Sequence, residues 1–275
     1  MKAIYEPRGA AGEYAPLAVN LYSGCSHGCT YCYAPGCLRM SAERFGKPQP
    51  RVGIIEALDR DSKRLAGGGG GPVLLCFTCD PYQELEREHR LTRRALEILL
   101  GDGWVVRILT KNPEMALELD GHLIWAYPAG VEFGTTILFT DEAKRQVWEP
   151  GAPTIASRIR ALARARDMEL HTWVSLEPVI DPEEALKVID RFDHLVDVWK
   201  VGRWNHDRRA NSIDWPGFTR RALDLLLQQG ACYYIKDELW RSAGSAVDGY
   251  EKTNIGYPQI TQISQIKSGG DHART

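Results

Sequence analysis

The sequence predicts an α/β fold built around a parallel sheet. Six short apolar runs alternate with six runs that have helical spacing, a pattern typical of repeated β–α units. Hydrophobic residues make up 44% of the 275 residues and charged residues 25%, so the chain can bury a core. No apolar run approaches the ~20 residues that a membrane span requires.

The predicted strands are short, and each is followed by polar residues. They are Leu17–Tyr22, Val73–Thr78, Val105–Thr110, Phe133–Phe139, His171–Leu176 and Val196–Val201. A seventh run, Cys232–Lys236, is expected to extend the sheet or to close its edge. Because chemistry in parallel sheets lies at the carboxyl ends of the strands, we expect the residues after each run to face one site.

The predicted helices lie between the strands and carry recognisable ends. They are Arg51–Leu65, Leu91–Leu100, Glu114–Leu119, Ala152–Arg166, Pro182–Phe192 and Phe218–Gln229. Asp181 followed by Pro182 is typical of a helix start, and Gly230 of a helix end. The five glycines at 67–71 cannot hold a helix or strand cheaply, so they predict a flexible loop.

Charge and cysteine content limit the functional class. The 34 basic and 36 acidic residues argue against a protein held to nucleic acid by bulk charge alone. The first 14 residues lack the continuous apolar core of a signal peptide. We therefore expect a cytoplasmic protein with no membrane association. In such a chain, seven cysteines with clustered spacing favour a metal or redox site over disulfides.

Three cysteines, Cys25, Cys29 and Cys32, form a CxxxCxxC pattern directly after the first predicted strand. At this cysteine frequency the pattern arises by chance in roughly one chain in 200. Three thiolates on one loop can hold three irons of a [4Fe–4S] cubane and leave the fourth iron open to a small molecule. The alternative is a zinc loop completed by Cys37 or His27, which would form a non-catalytic binding module.

The segment Asn20–Tyr33, with an aromatic residue before its third cysteine, resembles the signature of the radical S-adenosylmethionine (SAM) superfamily. It is similar in particular to the spore photoproduct lyase branch and its uncharacterised relatives, as are Asp80–Gln83, Leu91–Leu96 and Thr110–Lys111. This resemblance covers residues 17–205 and implies a partial (β/α)6 barrel of TIM type with parallel strands. The expected organisation is an N-terminal extension at 1–16, the barrel at 17–236 and a partly flexible C-terminal extension at 237–275.

The resemblance implies that Cys25, Cys29 and Cys32 bind the cluster and that the open iron binds SAM. One electron from the reduced cluster would cleave SAM to methionine and a 5′-deoxyadenosyl radical, which abstracts hydrogen from a substrate. The resemblance also implies a reducing partner such as a flavodoxin or ferredoxin. It favours a nucleic-acid base as the substrate and leaves open whether the reaction is of the lyase or the transferase type. Radical activation of a partner protein is the other enzymatic alternative.

Five residues are expected to bind SAM. By resemblance, Tyr31 lies near the adenine. Thr78 ends a predicted strand, and Lys111, Glu177 and Gly202 follow predicted strands. Lys111 is suited to a carboxylate, Glu177 to ribose hydroxyls or an ammonium group, and Gly202 to close approach of a ligand. The alternatives are a solvated loop for Lys111 and an ion pair with Lys200 or Arg203 for Glu177.

Cys79 and Tyr33 are candidates for the radical chemistry itself. Aligned on Asp80, the hydrogen-donor cysteine of the lyase branch falls on Phe77, so Cys79 is a candidate by position and not by motif. Tyr33 flanks the third cysteine, where tyrosines of that branch relay a radical, and its alternative is simple packing. Cys76 and Cys79 have the CxxC spacing of a redox pair. Strand alternation favours the alternative, in which the two residues point to opposite faces and only Cys79 faces the site.

A basic segment follows the sixth predicted strand. Arg203, Arg208 and Arg209 lie near Trp204 in the sequence, and arginines beside an aromatic ring suit a nucleotide or a nucleic-acid strand. The alternative is an ordinary solvated loop. These residues are therefore secondary candidates for substrate binding.

Overall fold

The structure is a computed structural model that describes residues 1–65 and 71–255. The strands are β1 (Leu17–Val19), β2 (Tyr22–Ser23), β3 (Gln49–Pro50), β4 (Val73–Leu75), β5 (Val106–Thr110), β6 (Val131–Thr136), β7 (His171–Val179), β8 (Val198–Arg203), β9 (Tyr233–Ile235) and β10 (Thr253–Asn254). Eight of them form one sheet in the order β1-β4-β5-β6-β7-β8-β9-β10, and β2 pairs with β3 separately.

The helices lie largely between the strands in the chain. They are α1 (Ala34–Cys37), α2 (Ala42–Phe45), α3 (Ile54–Leu65), α4 (Glu86–His89), α5 (Leu91–Gly101), α6 (Pro113–Ala126), α7 (Glu142–Trp148), α8 (Ile155–Asp167), α9 (Pro182–Phe192), α10 (Trp215–Gln228) and α11 (Asp237–Ala243). None of the described helices is long and apolar enough to cross a membrane.

The prediction of an α/β fold with a parallel sheet is confirmed. Neighbours from β1 to β9 pair in parallel, whereas β10 is antiparallel to β9. The seventh run of the sequence forms β9, so it extends the sheet. The sheet does not close, since β1 and β10 lie at its two ends. The result is a partial barrel.

Three of the six predicted strands, those that form β1, β4 and β6, end earlier than expected, and Asn20 accounts for the end of β4. The run at 17–22 divides into β1 and β2 around this residue. Its side-chain oxygen accepts the backbone N–H groups of Phe77 and Thr78 at 2.8 and 2.9 Å. These bonds replace ladder hydrogen bonds, so β4 stops at Leu75 instead of continuing to Thr78.

Side-chain caps explain where the helices differ from the predicted bounds. Thr154 accepts from the Ser157 N–H and starts α8 three residues later than predicted. Asp214 accepts from the Gly217 N–H and starts α10 three residues earlier. The predicted start of α9 is confirmed, because Asp181 accepts from the first-turn N–H groups.

Both extensions contact the sheet where the structure describes them. Tyr5 pairs with Ala18 on the free side of β1, and Tyr14 contacts the Trp173 ring of β7. At the other end, β10 adds to β9, and α11 follows β9 directly. Residues 256–275 of the C-terminal extension lie outside the described residues, as do residues 66–70, which include four of the five glycines at 67–71.

A candidate cofactor site at the strand ends

A cavity of about 370 Å³ opens at the carboxyl ends of the parallel strands. Its wall contains nine of the ten residues that the sequence singles out. They are Cys25, Cys29, Tyr31, Cys32, Tyr33, Thr78, Cys79, Lys111 and Glu177. The expectation that the strand ends face one site therefore agrees with the geometry of the described chain.

The loop that carries the three cysteines is held by its backbone. Cys25 donates its N–H to the carbonyl of Phe45 at 2.9 Å. Gly24 has φ +95, and a Cβ there would lie 2.5 Å from the same carbonyl, so the close approach requires glycine. The buried side chain of Gln83 accepts the Ser26 N–H at 3.1 Å and donates to the Gly24 carbonyl at 3.3 Å. The loop is thus fixed on two sides.

Asp80 connects this loop to the ends of β4 and β5. Its carboxylate accepts the Thr110 hydroxyl at 2.6 Å and the Lys111 N–H at 2.8 Å. The His27 Nε2 atom lies 3.1 Å from the same carboxylate. Burial alone would raise the pKa of Asp80, but His27 and the hydrogen bonds lower it to about 2. Asp80 is therefore a buried carboxylate that orients three separate segments.

The three thiols are partly buried and are not paired in disulfides. Burial raises the pKa of each, to about 11 for Cys29, where the nearby Lys111 opposes the increase. Within residues 1–65 and 71–255, no three His, Cys, Asp or Glu side chains are gathered closely enough to hold one metal ion. His27, the fourth zinc ligand considered above, already contacts Asp80 and the Gly151 carbonyl.

A cysteine loop with three thiols facing one cavity fits an iron–sulfur cubane better than a single ion. A cubane has separate irons for separate thiolates, so its ligands need not converge on one point. Cys37, the remaining cysteine near the loop, is exposed and also borders the cavity. The arrangement of the donors thus fits three cluster ligands.

Lys111 lies in a buried charge network beside the cysteine loop. Its Nζ atom is 3.8 Å from Glu149 and 5.6 Å from the centre of the Tyr31 ring. Glu149 also pairs with Arg158 at 2.6 Å and accepts the Tyr31 hydroxyl. Burial would lower the pKa of Lys111, but Cys29 and Glu149 raise it overall. Lys111 is therefore charged, and its solvated-loop alternative does not describe it.

Glu177 forms an ion pair on the other side of the cavity, but its partner is not one of those considered above. Lys236 donates to both of its oxygens, at 2.8 and 3.0 Å. The Tyr14 hydroxyl also donates to Glu177. Lys200 instead donates to the backbone carbonyls of residues 13 and 14. Glu177 therefore forms an ion pair, as the alternative stated, but its cation is Lys236 and not Lys200 or Arg203.

Gly202 stands behind Glu177 and not in the cavity wall. A Cβ on Gly202 would lie 2.6 Å from the Glu177 carboxyl carbon. The glycine therefore makes room for the Glu177 side chain to reach Lys236. Gly202 does allow a close approach to the backbone, as the sequence indicates. The group that approaches is the Glu177 side chain and not a ligand.

The prediction that Cys76 and Cys79 point to opposite faces is wrong, because β4 ends at Leu75 and the alternation stops there. Both residues are buried and both line the cavity. Tyr33 is 45% exposed, and its hydroxyl donates to the Phe77 carbonyl at 3.2 Å. Tyr33 thus bridges the cysteine loop and the segment after β4.

Two arginines of the basic segment, Arg203 and Arg209, already have partners within the protein. Trp204 is buried, and Arg209 lies over its ring and that of Trp148 at 4.7 and 4.9 Å. Arg209 is also paired with Asp207 at 2.7 Å. Arg203 lies over the Trp215 ring at 5.0 Å and borders the cavity. Only Arg203 of this group reaches the site.

Sequence reasoning missed several residues that shape the site. Lys236 is the last residue of the predicted run at 232–236, so the rule applied to the other strand ends could have found it. Asn20 follows β1 and acts through backbone contacts. The sequence marked Asp80 only through the resemblance, whereas its carboxylate contacts both backbone and side-chain groups. Tyr14 and Glu149 come from the N-terminal extension and from the end of α7, where no pattern marked them.

Comparisons with known proteins agree with this description. No protein-family profile matches the chain. An uncharacterized protein of Acidianus two-tailed virus is 28% identical over 197 residues, covering 66% of this chain and 63% of that protein. One of Methanocaldococcus jannaschii is 26% identical over 169 residues, covering 60% and 61%. The chain thus spans less than two thirds of the length of these relatives.

Solved structures define the class of fold as the partial TIM-type barrel of radical SAM enzymes. SuiB of Streptococcus suis bound to S-adenosylmethionine superposes with a TM-score of 0.61 at 11% identity, over 83% of this chain and 52% of that chain. A mutant of spore photoproduct lyase superposes with a TM-score of 0.60 at 13% identity, over 89% and 77%.

Another mutant of this lyase, with bound AdoMet and dinucleoside spore photoproduct, superposes with a TM-score of 0.56 at 14% identity, over 86% and 74%. The resemblance drawn from the cysteine motif is therefore confirmed for the fold.

Proposed function

We propose that this protein is a radical SAM enzyme. The observation that carries the proposal is the CxxxCxxC loop, whose three thiols border the strand-end cavity of a barrel shared with radical SAM enzymes. In this proposal, Cys25, Cys29 and Cys32 each ligate one iron of a [4Fe–4S] cluster. When bound, the cluster supplies the electron for reductive cleavage of SAM to a hydrogen-abstracting radical.

The loop residues then hold the thiols and exclude water. Gly24 and Gln83 fix the start of the loop, and Asp80 fixes its middle through His27. Because these contacts are buried, the thiols are held in position before any ligand binds. Lys111 adds a positive charge beside Cys29, which favours the thiolate that iron requires.

SAM binding in this proposal uses the two charged sides of the cavity. SAM carries a carboxylate and an ammonium group. Lys111 can receive the carboxylate, and Glu177 can receive an ammonium group or ribose hydroxyls. Tyr31 lies beside Lys111 and is proposed to contact the adenine. Thr78 borders the same cavity next to Cys79, and Gly202 acts indirectly, by making room for Glu177.

The substrate proposed is a nucleic-acid base, in a lyase-type reaction. The fold shared with spore photoproduct lyase, seen with a dinucleoside photoproduct, supports this choice. Cys79 is proposed as the hydrogen donor that quenches the substrate radical, and Tyr33 as a relay beside it. A flavodoxin or ferredoxin is the proposed electron donor.

The cluster assignment predicts that each of the three cysteines is necessary for iron binding. The protein is purified anaerobically, reconstituted with iron and sulfide, and assayed for iron, sulfide and zinc. Cys25→Ala, Cys29→Ala and Cys32→Ala should each lose most of the iron, because an open cubane has no spare protein ligand. Cys232→Ala, a half-buried thiol outside the cavity wall, is the matched control and should retain it.

Two outcomes would contradict the proposal. One is full iron retention in any of the three loop variants. The other is a stoichiometric zinc site that Cys37→Ala abolishes. For the enzyme itself, SAM should change the EPR spectrum of the reduced cluster and release 5′-deoxyadenosine, whereas a closed site gives neither signal.

A further inference from the structure

Cys76 and Cys79 are two thiols for which the cluster has no use, yet they lie together in the cavity wall. The Asn20 side chain accepts the N–H groups of both residues between them, Phe77 and Thr78. Two successive N–H groups that point to one acceptor require a tight bend. The bend therefore brings residues 76 and 79 to the same side of the chain.

The side chains of this pair are close to each other and shielded from solvent. Cys76 is 5% exposed and Cys79 is 9% exposed. Their thiols interact directly, and Tyr5 lies near both. Burial, together with the neighbouring thiol, raises the pKa of Cys76 well above its usual value. The Cys76 S–H group therefore remains protonated at neutral pH and lies beside the Cys79 thiol in the cavity wall.

We propose that Cys76 and Cys79 form a dithiol–disulfide couple in the wall of the cavity. The dithiol carries the S–H hydrogen that the proposed donor role of Cys79 requires, and the disulfide carries none. The oxidation state of the pair therefore switches the hydrogen donor on or off. This role rests on the proposed function, whereas the formation of the couple does not.

The oxidant in this proposal is a small-molecule disulfide such as glutathione disulfide. One cysteine thiolate attacks a sulfur of glutathione disulfide, forms a mixed disulfide and releases one glutathione. The second cysteine thiolate then attacks its neighbour's sulfur and releases the second glutathione. Two S–H bonds are lost, one S–S bond forms in the protein, and two glutathione molecules are produced. Because the pKa of Cys76 is raised, the reaction should accelerate as the pH rises.

The experiment equilibrates the full chain anaerobically in glutathione buffers, alkylates the remaining thiols and digests with trypsin. The tryptic fragment 65–87 contains Cys76 and Cys79 and no other cysteine. We expect a species that is lighter than the dithiol fragment by the mass of two hydrogens and is not alkylated. Doubling total glutathione at a fixed GSSG-to-GSH ratio should reduce the disulfide-to-dithiol ratio by about half, since two glutathiones are released.

Controls separate this couple from unspecific oxidation. Cys76→Ser and Cys79→Ser should each abolish the light fragment, whereas Cys232→Ser should form it like the wild type. Independent glutathionylation of the two residues, with no dependence on total glutathione, would overturn the proposal. So would cross-linking of fragment 65–87 to the fragment that carries Cys25, or two free thiols under all conditions in a folded protein.

Iron content measured on the same samples keeps this proposal distinct from the cluster proposal. A light fragment in a protein that binds no iron would refute the cluster and leave the couple intact. Iron binding without the light fragment would refute the couple and leave the cluster proposal intact. If both are present, oxidation of the pair should leave 5′-deoxyadenosine release unchanged relative to Cys232→Ser.

Discussion

Replacing Asp80 by Asn should destabilise the protein and loosen the cysteine loop. Asp80 borders the cavity, and its carboxylate accepts hydrogen bonds from Thr110, Tyr82 and Lys111 while it contacts His27. An amide offers one acceptor oxygen in place of two. It therefore leaves at least one buried N–H group, that of Tyr82 or Lys111, without its acceptor.

The magnitude follows from two estimates that agree. Lowering the pKa of Asp80 from 3.8 to about 2 corresponds to about 2 kcal/mol of stability from the ionised form. One unsatisfied buried donor costs about 1–3 kcal/mol. These effects overlap, because the same hydrogen bonds lower the pKa. We therefore expect Asp80→Asn to reduce the free energy of unfolding by about 2–4 kcal/mol at pH 7.

The pH dependence tests the sign of this argument. Because folding lowers the pKa of Asp80, its stabilisation is complete above pH 4 and is lost as the pH falls from about 4 to about 2. The contribution of Asp80 ionisation to the difference between wild type and Asp80→Asn should therefore have its full value at pH 5. Below pH 4 the difference in free energy of unfolding should shrink. The part that remains is the cost of the unpaired N–H group.

Urea unfolding, followed by circular dichroism of the full chain, measures this difference. Asp59→Asn is the control, because Asp59 pairs with Lys63 on the surface and should cost no more than about 1 kcal/mol. Iron content should fall in Asp80→Asn and not in Asp59→Asn. Equal stability of Asp80→Asn and the wild type at pH 7 would refute the reasoning.

Two other predictions concern the walls of the site. Gly24→Ala should lower both the melting temperature and the iron content, because its Cβ would lie 2.5 Å from the Phe45 carbonyl; Gly53→Ala, also at positive φ but with open space, is the control for backbone strain and should retain iron. Lys236→Met should cost about 3–5 kcal/mol in urea unfolding, because it leaves Glu177 without its cation. Adding Glu177→Gln should recover part of that loss, and additive losses would contradict the pairing.

The fold could be predicted from the sequence because its signal is local. Alternation of apolar runs with helical runs predicts a parallel sheet, and each run can be recognised from a short stretch of sequence. The place of the site follows from the same regularity, since parallel strands end on one side. For this reason the cysteine loop, the segments after β4 and β5 and the end of β7 were expected to meet, and they border one cavity. Helix bounds depended on single capping residues such as Thr154, which periodicity does not reveal.

The partners of the site residues could not be predicted, because they are distant in the sequence. Glu177 and Lys236 are 59 positions apart, and Tyr31 and Glu149 are 118 apart. Alternation failed at Cys76 for a related reason. The residue that ends the strand, Asn20, lies on a different strand end, 57 positions before Phe77. A local pattern cannot include an interaction of this range.

The distribution of charge in the cavity favours a ligand that carries both signs. On the side of the cysteine loop, Lys111 and Arg158 share one carboxylate, that of Glu149, whereas Lys236 pairs with Glu177 elsewhere in the cavity. The loop side therefore keeps one positive charge that a ligand carboxylate can balance, and a ligand that carried only negative charge would compete with Glu177 for Lys236. A molecule with an ammonium and a carboxylate group can contact both members of a pair without leaving a buried charge unmatched. SAM has this charge pattern, which is why these ion pairs support the proposed cofactor.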